Sequence, residues 1–396
     1  FEQALRDLVS ADATTRLRTA QMLRDAAYPE AAVPLARLIV DPQDEVQLEA
    51  IAAELNIFLA EKIVPRKRVG FIVEWRTPVA ADEIFAIGPL AVGSRGVPIE
   101  VLDALRAAAR DENPRVGLEA MYAFGVLAVE PGGDRRRELL RASGPDLAAM
   151  IGAVDPARRY AAVQVIGRVF ERRLHDEPID QGVGDAVISA LNDKEPAMQA
   201  AAMQALGAMR YDRAVQGLMD LFQYYGKGDM AESALDALAH IAHPSSVPLL
   251  VAQLASKNAT LRGMAIEGLA RAGDRGRLGD VQSAIRSDRN GSLQLAGSLA
   301  GLMLSGDAVG GPLSPIVEAL AKPKLREQAR WYLIEAAPGR TQALARYLQD
   351  PDPLVRAALV DALGLSDDGA AAAVVQPMAS DRDVQVARAV ERALAR

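Results

Sequence analysis

The chain of 396 residues contains no cysteine. That removes thiolate catalysis, cysteine-based zinc sites and disulfide staples together. Histidine is nearly absent as well, at three residues, so no Ser–His or His–Asp pairing is in evidence and only dispersed carboxylates remain for acid–base work. Aromatic residues make up 4% of a chain that is 50% hydrophobic, so the core must be built from Ala, Leu and Val. There is no apolar run of about 18 residues, the length a membrane-spanning helix needs. Excess positive charge is also missing: the net charge is −7 and the arginines are interleaved with Asp and Glu. A protein that tracks nucleic-acid phosphates needs a basic stripe. Gly226-Lys-Gly228 and the glycines between Gly306 and Gly311 lack the spacing and the Lys-Ser/Thr of a phosphate-cradling loop.

What is present in quantity is a phrase that keeps returning. Val355/Ala or Leu/Leu363 spacing, an apolar residue followed by a small or apolar one four later and an apolar one four after that, fits Val355/Leu359/Leu363, Val386/Val390/Leu394, Leu325/Ala329/Leu333, Leu261/Ala265/Leu269, Met230/Ala234/Leu238 and Met198/Ala202/Leu206. Upstream it fits Val116/Ala120/Phe124, and a weaker copy is Gln294/Ser298/Leu302. Residues four apart share one face of a helix, and a central Ala admits a close neighbour. From Leu206 onward the frames end at 206, 238, 269, 302, 333, 363 and 394, a period near 31 residues. Such a period means stacked supersecondary units rather than one globular core. The frame usually follows a turn with an acidic residue or Asn, such as Asp350-Pro-Asp352-Pro353 or Asp111-Glu-Asn-Pro114, where Asp or Asn can cap the helix and Pro suits its first turn. A second apolar stretch follows, such as Pro248–Leu254, so each unit reads as helix–turn–helix.

The segments Asp350–Gly364 and Asp41–Ala50, with an acidic turn, Val-Arg or Val-Gln, small residues and, in the first, Ala-Leu-Gly, resemble the short bacterial HEAT repeats, also called HEAT-like or PBS lyase-type. The resemblance covers nearly the whole chain apart from residues 56–100. It implies an all-α, right-handed α-solenoid of about 10–11 helical hairpins: repeats at 1–55, a non-repeat insertion at 56–100 and a continuous array at 101–396. The frames ending at Phe124, Ile166 and Leu206 are more widely spaced, which predicts longer helices or loop insertions there. The resemblance leaves function open, because the family contains scaffolds, adaptors, lyases and DNA-repair enzymes. It also leans towards an exported protein, and the start at Phe1 reads as a mature chain in the periplasm or outside the cell, with the cytoplasm as the alternative.

The insertion carries the sharpest expectation. Val69, Phe71, Val73 and Trp75 alternate along one face, the pattern of a strand, and a second strand between about Glu83 and Val92 would complete a β-hairpin near residues 66–95. Such an arm could pack on neighbouring helices or pair with a partner. Candidate partner-binding residues are Phe71 and Trp75 on the arm, Arg66 and Arg68 beside it, and the adjacent Tyr224 and Tyr225 at a helix end, which cannot both point inward. Asp236, His240 and His243 have ligand-type spacing, but Pro244 ends the helix and favours capping over metal binding, so no metal and no cofactor is assigned. Arg135-Arg-Arg137 reads as a solvated turn. The last helix, Val386–Arg396, is amphipathic enough to close the stack on itself.

The function this supports is a non-enzymatic protein-interaction scaffold, reading a protein partner along the concave face through the second helix of each unit and through the arm. A deep pocket with convergent polar groups would favour the alternative, a lyase- or chaperone-like protein acting on a cofactor-bearing client. A contiguous basic groove would favour a nucleic-acid-binding repair protein.

Overall fold

The computed structural model describes residues 1–59, 80–128, 134–171, 179–286, 288–305, 313–366 and 368–395. They form two compact units, Phe1–Val169 and Phe170–Ala395. Eleven helices carry the repeating frame. In the first unit these are α1 (Ala13–Ala26), α2 (Asp44–Phe58), α3 (Pro114–Leu127) and α4 (Pro156–Val169). The second unit holds α5 (Pro196–Ala208), α6 (Asp229–Ile241), α7 (Ala259–Ala272), α8 (Gly291–Leu304), α9 (Arg326–Ala336), α10 (Pro353–Gly364) and α11 (Val384–Leu394). A second helix or helical turn precedes each of them, shorter in most repeats, as with Val247–Gln253 before α7, but longer before α4, where Asp134–Met150 runs for 17 residues. The frame residues are the core: Leu261, Ala265 and Leu269, like Val355, Leu359 and Leu363, are buried.

The acidic turns cap these helices as their chemistry requires. The side chains of Asp12, Asn113, Asn258, Asn290, Asp352 and Asp383 each accept from backbone N–H groups of the turn that follows. A second device repeats with equal regularity. The residue just after the first frame position reaches back to the carbonyl six residues earlier: Arg16 to Ser10 at 2.8 Å, Gln199 to Asp193 at 2.8 Å, Arg262 to Ser256 at 2.7 Å, Arg326 to Leu320 at 2.7 Å and Arg356 to Asp350 at 2.8 Å. Several of these guanidinium groups also grip the acidic turn of the next unit. Arg16 holds Asp41 through two bonds of 2.7 and 2.9 Å, Arg356 holds Asp381 through two of 2.9 and 2.8 Å, and Arg262 pairs with Asp288. One side chain therefore fixes its own turn and its neighbour's, which makes adjacent repeats mutually dependent.

This device corrects one reading. Gln294 bonds to the Asp288 carbonyl at 2.8 Å and is exposed, so it stands where Arg262 stands in the unit before. The frame of α8 is Leu293/Gly297/Gly301, one residue earlier than Gln294/Ser298/Leu302. Glycine at two of its three positions removed the apolar signal.

Where successive frame helices cross, one contributes Gly and the other a small residue. A Cβ on Gly207 would lie 2.9 Å from Ala237 Cα, one on Gly268 2.9 Å from Ala239 Cα, and one on Gly364 2.8 Å from Ala393 Cα. The Leu-Gly that closes many frames thus answers to backbone approach between helices, not to a turn.

The insertion differs from expectation. No strand occurs among the described residues. Residues 83–92 lie instead in a helix, Ala81–Ile87, and a helical turn, Pro89–Ala91. Ala81, Ile84 and Phe85 are buried, a spacing with a helical period, and the Ala81 N–H donates to the Glu119 carboxylate at 3.0 Å, which anchors the helix start. The proposed first strand, with Arg66, Arg68, Phe71 and Trp75, lies outside the described residues. The excursion begins and ends at one place: Leu59 and Val92 form an isolated antiparallel bridge, and the Gly93 N–H donates to the Phe58 carbonyl at 2.7 Å. Across it the stack resumes, because Gln47 of α2 bonds Asp111 at 2.9 Å and Asn113 bonds Asp44 at 2.5 Å.

Candidate functional site

Superposing the repeats by their frames shows which positions remain free to vary. The residues three, six, nine and ten places after the first frame residue share one face of each frame helix, and both units use that face.

In the first unit the chain itself occupies it. Glu119, Tyr122 and Gly125 of α3 and Arg168 of α4 stand at the third, sixth, ninth and tenth places, and the helix Ala81–Ile87 lies against them. Phe85 sits with its ring 5.3 Å from that of Tyr122, beneath the Arg168 guanidinium at 4.4 Å, and so close to Gly125 that a Cβ there would come within 2.7 Å of the ring. Burial raises the Tyr122 hydroxyl to about 12 and lifts the Glu119 carboxyl above its ordinary value.

In the second unit the same face carries a cavity of about 540 Å³. One wall is the tenth-place row from five consecutive frame helices: Ala208, His240, Arg271, Met303 and Glu335. Gln328, Trp331 and Ile334 of α9 supply the third, sixth and ninth places, and Glu171, Arg210, Pro338 and Ser366 complete the rim. The lining comes from the frame helices and the turns around them. The second helices, which the sequence reading assigned to recognition, do not contribute.

The floor is a chain of paired groups. Arg271 is buried, and its Nε and Nη2 donate to the two oxygens of Glu335 at 2.8 and 2.9 Å, across two repeats. Glu267, one turn back, lies 3.4 Å from the same guanidinium and accepts from the Tyr332 hydroxyl. Gln328 donates to that hydroxyl at 2.7 Å and accepts from Ser292 at 2.6 Å. Burial alone would raise the Glu335 carboxyl, but Arg271, with His240 and Arg210 further off, overrides it and holds the group below its ordinary value. Burial, reinforced by the adjacent Glu267, pushes the Tyr332 hydroxyl well up. These groups are satisfied by one another, so they shape the surface rather than offer a reacting pair.

His240 and His243 do not share a task. His240 Nδ1 lies 2.9 Å from the Asp236 carbonyl oxygen in the last turn of α6, while His243 Nδ1 accepts from the Ser245 N–H at 3.2 Å and caps the following turn. Tyr224 is 81% exposed and Tyr225 is half-buried, its hydroxyl donating to Gln199 at 2.6 Å and the two rings meeting edge-on at 5.1 Å. Neither tyrosine lines the cavity. Arg135 is exposed, 4.0 Å from Glu100. Of the cavity residues the sequence singled out His240 alone, because apart from the cluster on α9 the lining comes from repeats far apart in the chain. Aligned by frame, the tenth place reads Ala, His, Arg, Met, Glu, and three of these five are polar.

Paired helices stacked by a repeating frame, with variable side chains gathered on one face, define a helical-repeat protein of the α-solenoid class. Residues 144–225 match the family model described as HEAT repeats, which supports a HEAT-like repeat family. No curated protein matches the sequence. Among solved structures, an engineered protein is 18% identical, with 99% of this chain and 97% of that chain covered and a TM-score of 0.49. Human deoxyhypusine hydroxylase in complex with glycerol is 18% identical over 66% of this chain and 98% of that one, with a TM-score of 0.30. A chain from a structure of Kap95p with RanGDP is 15% identical over 98% of this chain and 49% of that one, with a TM-score of 0.37. No helix among the described residues is long and apolar enough to cross a membrane.

Proposed function

We propose that the chain is a non-enzymatic recognition scaffold whose second unit takes a polypeptide segment of a partner protein along the face of its frame helices. The observation that carries this reading is the first unit's use of the equivalent face. There the chain lays its own helix, Ala81–Ile87, across the third-, sixth-, ninth- and tenth-place residues and buries Phe85 among them. A surface that holds one helix in cis is suited to hold another in trans, by the helix-in-groove mode. The mutual pairing of Arg271, Glu335, Glu267 and Tyr332 supports a binding floor rather than a catalytic centre.

The test is photocrosslinking in the source cell with benzoylphenylalanine placed at Met303 in the cavity or at Gln216 on an outer helix. A single partner polypeptide captured from position 303 and not from 216, and mapped to one segment by mass spectrometry, is the expected result. Capture from 216 alone would remove the groove from the proposal. The cavity volume also falls in the range that houses small ligands, about 300–1,000 Å³, which keeps the cofactor-handling reading as the alternative. Native mass spectrometry of chain purified from its source, showing a bound small molecule and no crosslinked protein, would favour it.

A further inference from the structure

We infer that the cavity of the second unit receives a cationic side chain, an arginine or lysine of the partner segment, between Trp331 and Glu171. This rests on the reading of the groove as a polypeptide site and adds the chemistry of what it reads.

The inference follows from which lining groups are spent and which are not. The buried guanidinium of Arg271 is committed to both oxygens of Glu335, to Glu267 and to the Ala239 carbonyl, and Arg210 is also engaged. Among the described lining residues neither guanidinium is therefore left to meet an anionic ligand. Glu171 is different. It stands on the rim, half-buried, and its carboxylate makes no ion pair or hydrogen bond with any described residue. Trp331 is likewise half-buried in the lining, and its indole N–H makes no hydrogen bond to any described residue. The Nε2 atom of His240 is open as well, since Nδ1 alone meets the helix carbonyl. The formal charges around the cavity are three carboxylates, Glu171, Glu267 and Glu335, against two guanidinium groups.

An indole face is the best of the aromatic surfaces for a cation, and a carboxylate lining the same cavity supplies a charge-assisted acceptor. Met303, Ile334 and Pro338 offer apolar contact to the methylene stem of such a side chain. The volume leaves room for flanking residues as well. In the first unit the positions are used in the opposite sense: the scaffold's own Arg168 covers an aromatic ring, Phe85, from the occupant. In the second the scaffold supplies the ring.

Trp331 is also the reporter. The chain has two tryptophans, so in a Trp75→Phe background the fluorescence comes from Trp331 alone. We would titrate three capped tripeptides, Ac-Leu-Arg-Leu-NH2, Ac-Leu-Gln-Leu-NH2 and Ac-Leu-Glu-Leu-NH2, and the free guanidine agmatine. The arginine peptide should change the signal saturably and bind at least about tenfold more tightly than the glutamine peptide, as one charge-assisted contact provides. Glu171→Gln, with an unchanged helical spectrum and melting point, should abolish that preference. Equal or tighter binding of the glutamate peptide, or an arginine preference untouched by Glu171→Gln, overturns the inference. If that happens while position 303 still crosslinks a partner, the scaffold stands and only the cation assignment falls. If agmatine matches the peptide and position 303 captures no protein, the cation site stands as a small-molecule site and the scaffold reading fails.

Discussion

Two buried ionisable groups show what single residues contribute. Glu54 of α2 is fully buried and neither carboxylate oxygen has a hydrogen-bond partner. Burial holds its pKa well above the ordinary 4.5, so the folded chain keeps the proton and the unfolded chain releases it. The folded state then binds more protons than the unfolded one between those two pKa values. Its contribution is whole below about pH 4.5 and is lost as pH rises towards the folded value. Glu54→Gln should remove this slope in urea melts run from pH 4 to 8. Glu54→Leu should stabilise the protein at pH 7 by about 1–3 kcal/mol, the usual cost of an unmet buried polar group; a loss of stability would show that the carboxyl has a role unseen here. Arg271 makes the contrasting case. Removing one partner, as in Glu335→Leu, should cost about 3–5 kcal/mol, whereas Arg271→Met with Glu335→Leu should recover most of that loss, because an apolar pair avoids the desolvation that an ion pair must overcome. Melts of the four proteins in this cycle measure the difference.

Helices meet here through glycine and alanine. Gly→Ala inside an exposed helix ordinarily gains about 1 kcal/mol, and Gly217, with nothing within 4 Å of its missing Cβ, should behave so. Gly207 should not: its Cβ would press on Ala237 Cα, and overpacking of this kind costs about 1–3 kcal/mol. Ala237→Gly should rescue Gly207→Ala in part. Two losses that simply add would mean the crossing does not set the constraint. The same elements show what could be read from the chain beforehand. The frame was legible because its residues all answer to one demand, burial against the adjacent repeat. In α8 it slipped by one residue, since Gly297 and Gly301 meet that demand without an apolar side chain. The span Glu83–Val92 misled because Ile84, Phe85, Ile87 and Leu90 suit either period at so short a length, and the carboxylate that anchors the helix, Glu119, lies 38 residues away from Ala81. The cavity was hidden for a related reason: apart from the cluster on α9, its lining is drawn from repeats far apart in the chain, and no local stretch contains it.

Over the whole molecule, the staples between repeats should govern the response to acid. Arg356 holds the Asp381 carboxyl below its ordinary 3.8, and backbone N–H groups with Arg262 do the same for Asp288. A depressed folded pKa gives stability that is present above about pH 3.8 and disappears as pH falls through the folded value. The chain should therefore weaken at both ends, through its staples in acid and through Glu54 as pH rises, and hydrogen exchange should show the acid loss at α10–α11 and α7–α8 while α2 stays protected. Loss starting at α2 would contradict this assignment. Because each repeat depends on its neighbours, the second unit expressed alone as residues 170–395 should retain its helical spectrum; a collapse to coil would show that it borrows stability from elsewhere. The bridge between Leu59 and Val92 has a consequence of another kind. The chain leaves the stack and re-enters it at one doorway, and Gln47 and Asp111 join the walls on either side. The register of the repeats is therefore set independently of the length of chain between Leu59 and the packed helix Ala81–Ile87. A doorway of this kind tolerates added or removed residues as long as that helix keeps its seat on α3.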